Sequence, residues 1–165
     1  MDKLYFAYGS NLSPKKQVKE FGKEFVFVCV ARLENAKICF PQYSRKNDCD
    51  VASFVCSSNS SVWGCVFKLT QDQMSKLDRQ EGWKDNRPSD KNSYEKKQVR
   101  VLSSSGEELK AYPYQGNKAK PDEYKGPSEE YLTYILEGLK YRVKDGIPMH
   151  YIDEVKVQAR KLGNH

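Results

Sequence analysis

Phe25-Val26-Phe27-Val28-Cys29-Val30-Ala31-Arg32-Leu33 is a run of β-branched, aromatic and other apolar residues interrupted only by its arginine. It is too continuous for a strand with one wet face and reads as a strand buried on both faces. Asn35 marks a turn after it, before a further strand over 37–40. Residues 51–56 and 62–69 read as two more strands, separated by the turn segment Ser57-Ser58-Asn59-Ser60-Ser61. Upstream, residues 4–8 form a short strand stopped by Gly9-Ser10-Asn11, and Ser13-Pro14 supplies an N-cap and an N1 proline for a helix to about Phe21. Downstream, strands over 94–102 and 109–114 are joined by Ser103-Ser104-Ser105-Gly106, and Pro113 places the second at an edge or a bulge. Strands that come in a run with few helices between them predict an α+β fold, its sheet mostly antiparallel or barrel-like.

The helices announce themselves by their caps. Thr70-Gln71-Asp72-Gln73 fits a capping box, and the helix it opens runs to about Glu81 and stops at Gly82. Ser128 caps a helix begun by Glu129 and Glu130, with Leu132, Ile135, Leu136, Leu139 and Val143 as its buried stripe. Lys144, Gly146 and Pro148 end it, and a last helix over 151–162 places Ile152, Val155, Ala159 and Leu162 on one face. The charged stretch 83–92 and the stretch 115–126, low in apolar residues, read as loops.

At 165 residues the chain is one domain, long enough to fold without disulfides or metal. Its 28 Lys+Arg against 22 Asp+Glu give a net charge of +6. The lysines are scattered (Lys15-Lys16, Lys96-Lys97, Lys118 with Lys120), with no basic block or RNP-type motif, so they read as a solvated face and not as a nucleic-acid surface. No window reaches the ~18 apolar residues of a membrane span. Five cysteines, an odd number without a Cys-x-x-Cys pair, argue against a disulfide framework or zinc ribbon, and Cys29 and Cys65 read as small core residues. With no signal-peptide pattern at the N-terminus, the expectation is a reduced, cytoplasmic protein. Two dispersed histidines and no Gly-rich phosphate loop leave no case for a metal or nucleotide cofactor.

Glu81 is the most informative residue for chemistry. Met74, Leu77 and Glu81 are spaced three and four apart, so roughly 700° of helical turn puts the carboxylate on the apolar face. There it is buried beside a partner or lines a cleft, unless the helix frays first and leaves it in solvent. Burial would raise its pKa toward neutrality, as a general acid/base requires. Tyr8-Gly9-Ser10-Asn11-Leu12 is the second candidate. Gly, Ser and Asn allow successive N–H groups to point at one spot, an anion nest, although an ordinary strand-ending turn fits the same residues. Ser10 as a nucleophile lacks the G-x-S-x-G elbow, and His150 reads as a surface or capping residue. The 11 tyrosines, among them Tyr94, Tyr112, Tyr114, Tyr124, Tyr131 and Tyr134, suit packing or a hydrogen-bonding pocket wall.

Together these segments resemble the γ-glutamylcyclotransferase family. The resemblance rests on residues 5–12 (Tyr-Phe-Ala-Tyr-Gly-Ser-Asn-Leu), 29–33, Val62-Trp63-Gly64, 77–82 (Leu-Asp-Arg-Gln-Glu-Gly), Pro127-Ser128 with Tyr131, Gly138, and Gly146-Ile147-Pro148 with Tyr151, in the family's order over nearly the whole chain. It implies a compact β-barrel with flanking helices, a cofactor-free enzyme and a small-molecule γ-glutamyl substrate. In such enzymes the substrate's α-amine attacks its own γ-carbonyl, closing 5-oxoproline and expelling the acylated amine. The resemblance makes Glu81 the catalytic acid/base, Tyr8, Gly9, Ser10, Asn11 and Leu12 the substrate cradle, and Tyr112 and Tyr131 pocket tyrosines. Loops 83–93 and 115–126 are expected to shape the side where the leaving amine sits, and a homodimer is possible. The alternative is a catalytically inactive γ-glutamyl or small-anion binding protein of the same fold, against which the presence of Glu81 counts.

Overall fold

Strand β2 (Val26–Ser44) pairs antiparallel with β3 (Cys49–Leu69), and this long ribbon frames the molecule. The structure, a computed structural model, describes residues 3–92, 94–116 and 126–161. The turns expected at Asn35 and at 57–61 lie inside the ribbon. Glu34 faces Ser61 while Ala36 faces Cys56, so the register slips there without the strands ending. Asn35 and Asn59 take up the irregularity in the left-handed region (φ 56 and 63), which asparagine tolerates better than most residues. The run over 25–33 is not buried on both faces either: Val26 is 62% and Val28 43% exposed, against 1% for Val30. A register shift between Phe27 and Cys29 falls inside this run and breaks its alternation. Strand β5 (Val99–Ser103) joins β2 only at Ala31 and Arg32, beyond that exposed start.

Strands β1 (Lys3–Ala7) and β6 (Glu108–Ala111) complete a five-stranded sheet in the order β1-β3-β2-β5-β6. Gly64 permits β1 to lie against β3, because a Cβ there would sit 2.1 Å from the Ala7 carbonyl oxygen. Just past β6 the chain touches β1. Phe6 N–H donates to the Tyr112 carbonyl and Tyr112 N–H to that of Leu4, both at 3.0 Å. Among the described residues no closed barrel is found; the two edges meet at this bridge. Pro113 follows with its fixed φ and no N–H, and the chain turns into β7 (Tyr114–Gly116), which pairs with β4 (Tyr94–Lys96) as a separate two-stranded sheet. The expected strands over 94–102 and 109–114 are therefore each broken in two. The fold is α+β, with an antiparallel main sheet and, among the described residues, four α-helices.

Helix α1 (Pro14–Phe21) starts as its sequence predicts, Ser13 Oγ accepting from the Lys16 N–H at 3.2 Å. Helix α2 (Gln71–Gln80) carries both bonds of the capping box and ends at Glu81, with Gly82 at φ 67. Helix α3 (Glu129–Tyr141) buries Tyr131, Ile135, Gly138 and Leu139. Its stripe is rotated from the expected one, and Leu132, Leu136 and Val143 are only partly covered. Helix α4 (Met149–Lys161) begins two residues earlier than expected and buries Tyr151, Ile152, Val155 and Ala159; Leu162 lies outside the described residues. The buried apolar side chains form one contiguous core from Tyr5 to Ala159. Among the described residues, no helix is long and apolar enough to cross a membrane.

Candidate active site

After β1 the chain tightens into a single 3-10 turn, Ser10–Leu12, closed by Leu12 N–H to the Gly9 carbonyl and Ser13 N–H to the Ser10 carbonyl, each 3.1 Å. The N–H groups of Ser10 and Asn11 precede those bonds, as at any helix start. The turn is held from several sides. Gln17 Nε2 donates to the Asn11 carbonyl at 2.8 Å, while Gln17 Oε1 accepts from Phe25 N–H at 2.8 Å. Asn11 Nδ2 donates to the Tyr5 hydroxyl at 3.2 Å. Beneath it α3 comes so close that a Cβ on Gly138 would lie 2.6 Å from Leu12.

Glu81 faces this turn. Its N–H donates to the Leu77 carbonyl at 2.9 Å, so the helix does not fray before it, and Met74 and Leu77 on the same face are fully buried. Desolvation pushes the Glu81 carboxyl up to about 7, outweighing the opposite pull of Lys16 and Lys46; Glu20 adds to the rise. The group is thus poised to both accept and release a proton near neutral pH.

An inner chamber of about 40 Å³ separates Glu81 from residues 9–11 and is walled by Tyr5, Tyr8, Tyr94, Tyr114 and Tyr131. It adjoins an outer cleft of about 470 Å³ that shares Ser10, Glu81, Tyr94 and Tyr131 and is bounded by Lys16 and by residues 43–47 at the β2–β3 hairpin. The Tyr131 hydroxyl accepts from Ala52 N–H at 2.9 Å. Tyr8 donates to the Tyr114 carbonyl, and the Tyr114 hydroxyl donates to Asp78, which also pairs with Lys96 at 3.0 Å. Burial holds these phenols above their ordinary pKa, so they remain neutral hydrogen-bonding groups.

Tyr8, Gly9, Ser10, Asn11, Glu81 and Tyr131 therefore converge on one chamber. Leu12 does not line it; it is buried underneath, against α3. Nor does Tyr112, whose backbone makes the β1 bridge while its ring stands 5.6 Å from both Lys3 and Lys96. Tyr114 takes the wall position, because the break at Pro113 removes the strict alternation that would have kept both rings on one face. The open side of the cleft is formed by residues 43–47 and not by loop 83–92. That loop is folded back on itself: Arg87 donates to the Gly82 carbonyl and to Asn92, both at 2.7 Å. Of the stretch 115–126, residues 117–125, including Tyr124, Lys118 and Lys120, lie outside the described residues.

Two lysines expected in solvent are buried. The Lys96 side chain is 7% exposed beside Asp78, and Lys16 lies under the cradle. Tyr5 and Lys16 were not legible as site residues. For Lys16 the available signal was its i,i+4 relation to Glu20, to which it forms an ion pair of 3.8 Å. Ser10 Oγ accepts from Lys16, and the one described histidine, His150, is exposed on α4. All five cysteines are free, and burial raises Cys39 to about 11 and Cys65 to about 12. Among the described residues, no three His, Cys, Asp or Glu side chains are grouped to hold a metal ion.

Residues 61–155 match the AIG2-like family model. The chain is 30% identical over 159 residues to the human γ-glutamylcyclotransferase, covering 93% of this chain and 77% of that protein. It is 32% identical over 152 residues to the protein of that name from Bos taurus, with 90% and 74% covered. A solved structure described as a γ-glutamyl cyclotransferase superposes with a TM-score of 0.78 at 28% identity, covering 94% of this chain and 87% of that one.

Proposed function

The chain belongs to the γ-glutamylcyclotransferase family, and we propose that it cyclises the γ-glutamyl group of a γ-glutamyl amino acid or amine to 5-oxoproline, releasing the free amine. The observation that supports this most is the Glu81 carboxyl, poised near pH 7 across a small chamber from the Ser10–Leu12 turn. In this reading the γ-glutamyl head enters the chamber with its α-carboxylate toward the N–H groups of residues 9–11, which favour an anion. Its α-ammonium then lies toward Glu81. The carboxylate takes a proton, and the freed amine attacks the γ-carbonyl carbon of the same molecule. As the new C–N bond closes the five-membered ring, Glu81 returns the proton to the departing nitrogen, whose bond to the carbon breaks, and then takes the second proton, which the ring nitrogen sheds; that proton leaves with the freed amine as its ammonium. The net change is one amide exchanged for another, with no redox step. Because nucleophile and electrophile share one molecule, folding the substrate into a near-attack geometry supplies much of the acceleration. The buried tyrosines fit that task as rigid walls with hydrogen-bonding tips. The outer cleft, bordered by residues 43–47, receives the departing amine.

The test is an assay of the wild-type chain against a panel of γ-glutamyl dipeptides and γ-glutamylamines, following 5-oxoproline by mass spectrometry. Release from one or more members is the expected result, and the preferred member identifies the departing amine. Folded protein that binds 5-oxoproline but releases it from none of them would return the reading to a binding protein of this fold.

A further inference from the structure

Lys16 occupies an unusual place for a lysine. Its neighbours Lys15 and Lys19 are exposed, yet Lys16 is only 9% exposed on the first turn of α1. An ammonium is buried at a cost unless it is paired and hydrogen-bonded. Here its two shortest contacts go to the cradle: Nζ donates to Ser10 Oγ at 2.6 Å and to Asn11 Oδ1 at 3.1 Å. The carboxylate one turn on, Glu20, stands farther off at 3.8 Å and is engaged by Lys46 at 2.8 Å. A lysine retained only to pair with Glu20 would need neither contact to Ser10 nor contact to Asn11. Lys16 also borders the outer cleft together with Ser10 and Glu81.

We infer that Lys16 is a positioning residue for the reaction: its buried ammonium fixes the side chains of Ser10 and Asn11 in the cradle and keeps a positive charge beside Glu81. The inference rests on the reading of Glu81 and the Ser10–Leu12 turn as the reacting site. Two consequences follow. Holding both side chains from a single ammonium shapes the cradle before substrate arrives, so its ordering entropy is not lost at binding. The charge also favours the carboxylate form of Glu81 and so makes it available as a base closer to neutrality. The other charged groups acting on Glu81 are Glu20 on α1 with Lys16, which acts in the opposite sense, and Lys46 on the β2–β3 hairpin, which acts in the same sense as Lys16. The surrounding phenols of Tyr5, Tyr8, Tyr94, Tyr114 and Tyr131 are held neutral by burial.

The experiment is a carbon-13 NMR titration of the Glu81 carboxyl in the full chain and in Lys16→Met, Lys16→Gln and Lys16→Arg, with 5-oxoproline affinity measured on the same samples. Methionine keeps the apolar stem and loses donor and charge; glutamine keeps a donor without charge; arginine keeps both. The expected result is a Glu81 midpoint higher by about half a unit or more in Lys16→Met and Lys16→Gln, and near wild type in Lys16→Arg. Affinity for 5-oxoproline is expected to fall by about tenfold in Lys16→Met and less in Lys16→Gln. An unmoved midpoint in whichever uncharged variant is folded overturns the inference. The titration needs no turnover, so a wild-type chain that cyclises no substrate would defeat the proposed function while leaving the role of Lys16 separately decided.

Discussion

The N–H of Ala52 on β3 donates to the hydroxyl of Tyr131 on α3 at 2.9 Å, tying the sheet to the helix at the wall of the chamber. Both residues are buried, at 4% and 6% exposure, so water cannot readily replace either partner. Tyr131→Phe keeps the ring and removes the acceptor, leaving a buried backbone donor unpaired. We predict a loss of about 1–2 kcal/mol in urea unfolding, with a raised KM for a γ-glutamyl substrate. Unchanged stability and KM would show that the contact contributes to neither.

Gly138 is required by proximity and not by backbone conformation. A methyl group there would lie 2.6 Å from the backbone carbon of Leu12, so α3 or the turn must shift. Gly138→Ala is predicted to cost about 2 kcal/mol or more in chemical denaturation. It should also lower kcat/KM, because the turn that moves is the cradle itself. A variant as stable and active as wild type would mean that α3 is free to slide.

The pH dependence follows from Glu81. Its base form starts the reaction, so kcat/KM is predicted to rise through a midpoint near 7 and to fall toward acid. A profile flat from about pH 5.5 to 8.5 would contradict a carboxyl base with that affinity for protons.

The same group makes a stability prediction of definite sign. Its pKa in the fold, about 7, lies above the ordinary value of 4.5, so between those limits the folded state binds more protons than the unfolded one. Stability from this group therefore declines as pH rises through that window. Glu81→Gln abolishes the dependence. It should be more stable than wild type at pH 8 by about 2 kcal/mol, with the gap narrowing toward pH 5, as read by urea melts at both pH values.

Local chemistry was legible in the sequence where one short segment determines it. Ser13-Pro14, the Thr70–Gln73 capping box and Gly82 bound helices that the structure contains, and the Met74–Leu77–Glu81 spacing placed the carboxylate on the covered face. What sequence could not show depends on distant partners. Asn35 and Asn59 carry turn chemistry, yet the pairing of β2 with β3 on either side holds the ribbon together, and both become bulges. Val26 and Val28 read as core but are exposed, where a register shift between Phe27 and Cys29 breaks the alternation. Tyr112 and Tyr114 are two residues apart, and which one reaches the chamber is settled by the β1 bridge and the break at Pro113. Lys16 looks like its exposed neighbour Lys15 until the 3-10 turn brings Ser10 and Asn11 over it.

Proton transfer by Glu81 is tested most directly by Glu81→Gln, which is nearly isosteric and cannot move a proton. The measurement is 5-oxoproline release from the best γ-glutamyl substrate by wild type and variant, with 5-oxoproline binding followed on the same preparations. The predicted result is a folded variant that binds 5-oxoproline as wild type does and turns over at least about 100-fold more slowly. A folded Glu81→Gln that keeps more than about a tenth of the wild-type rate would contradict the mechanism.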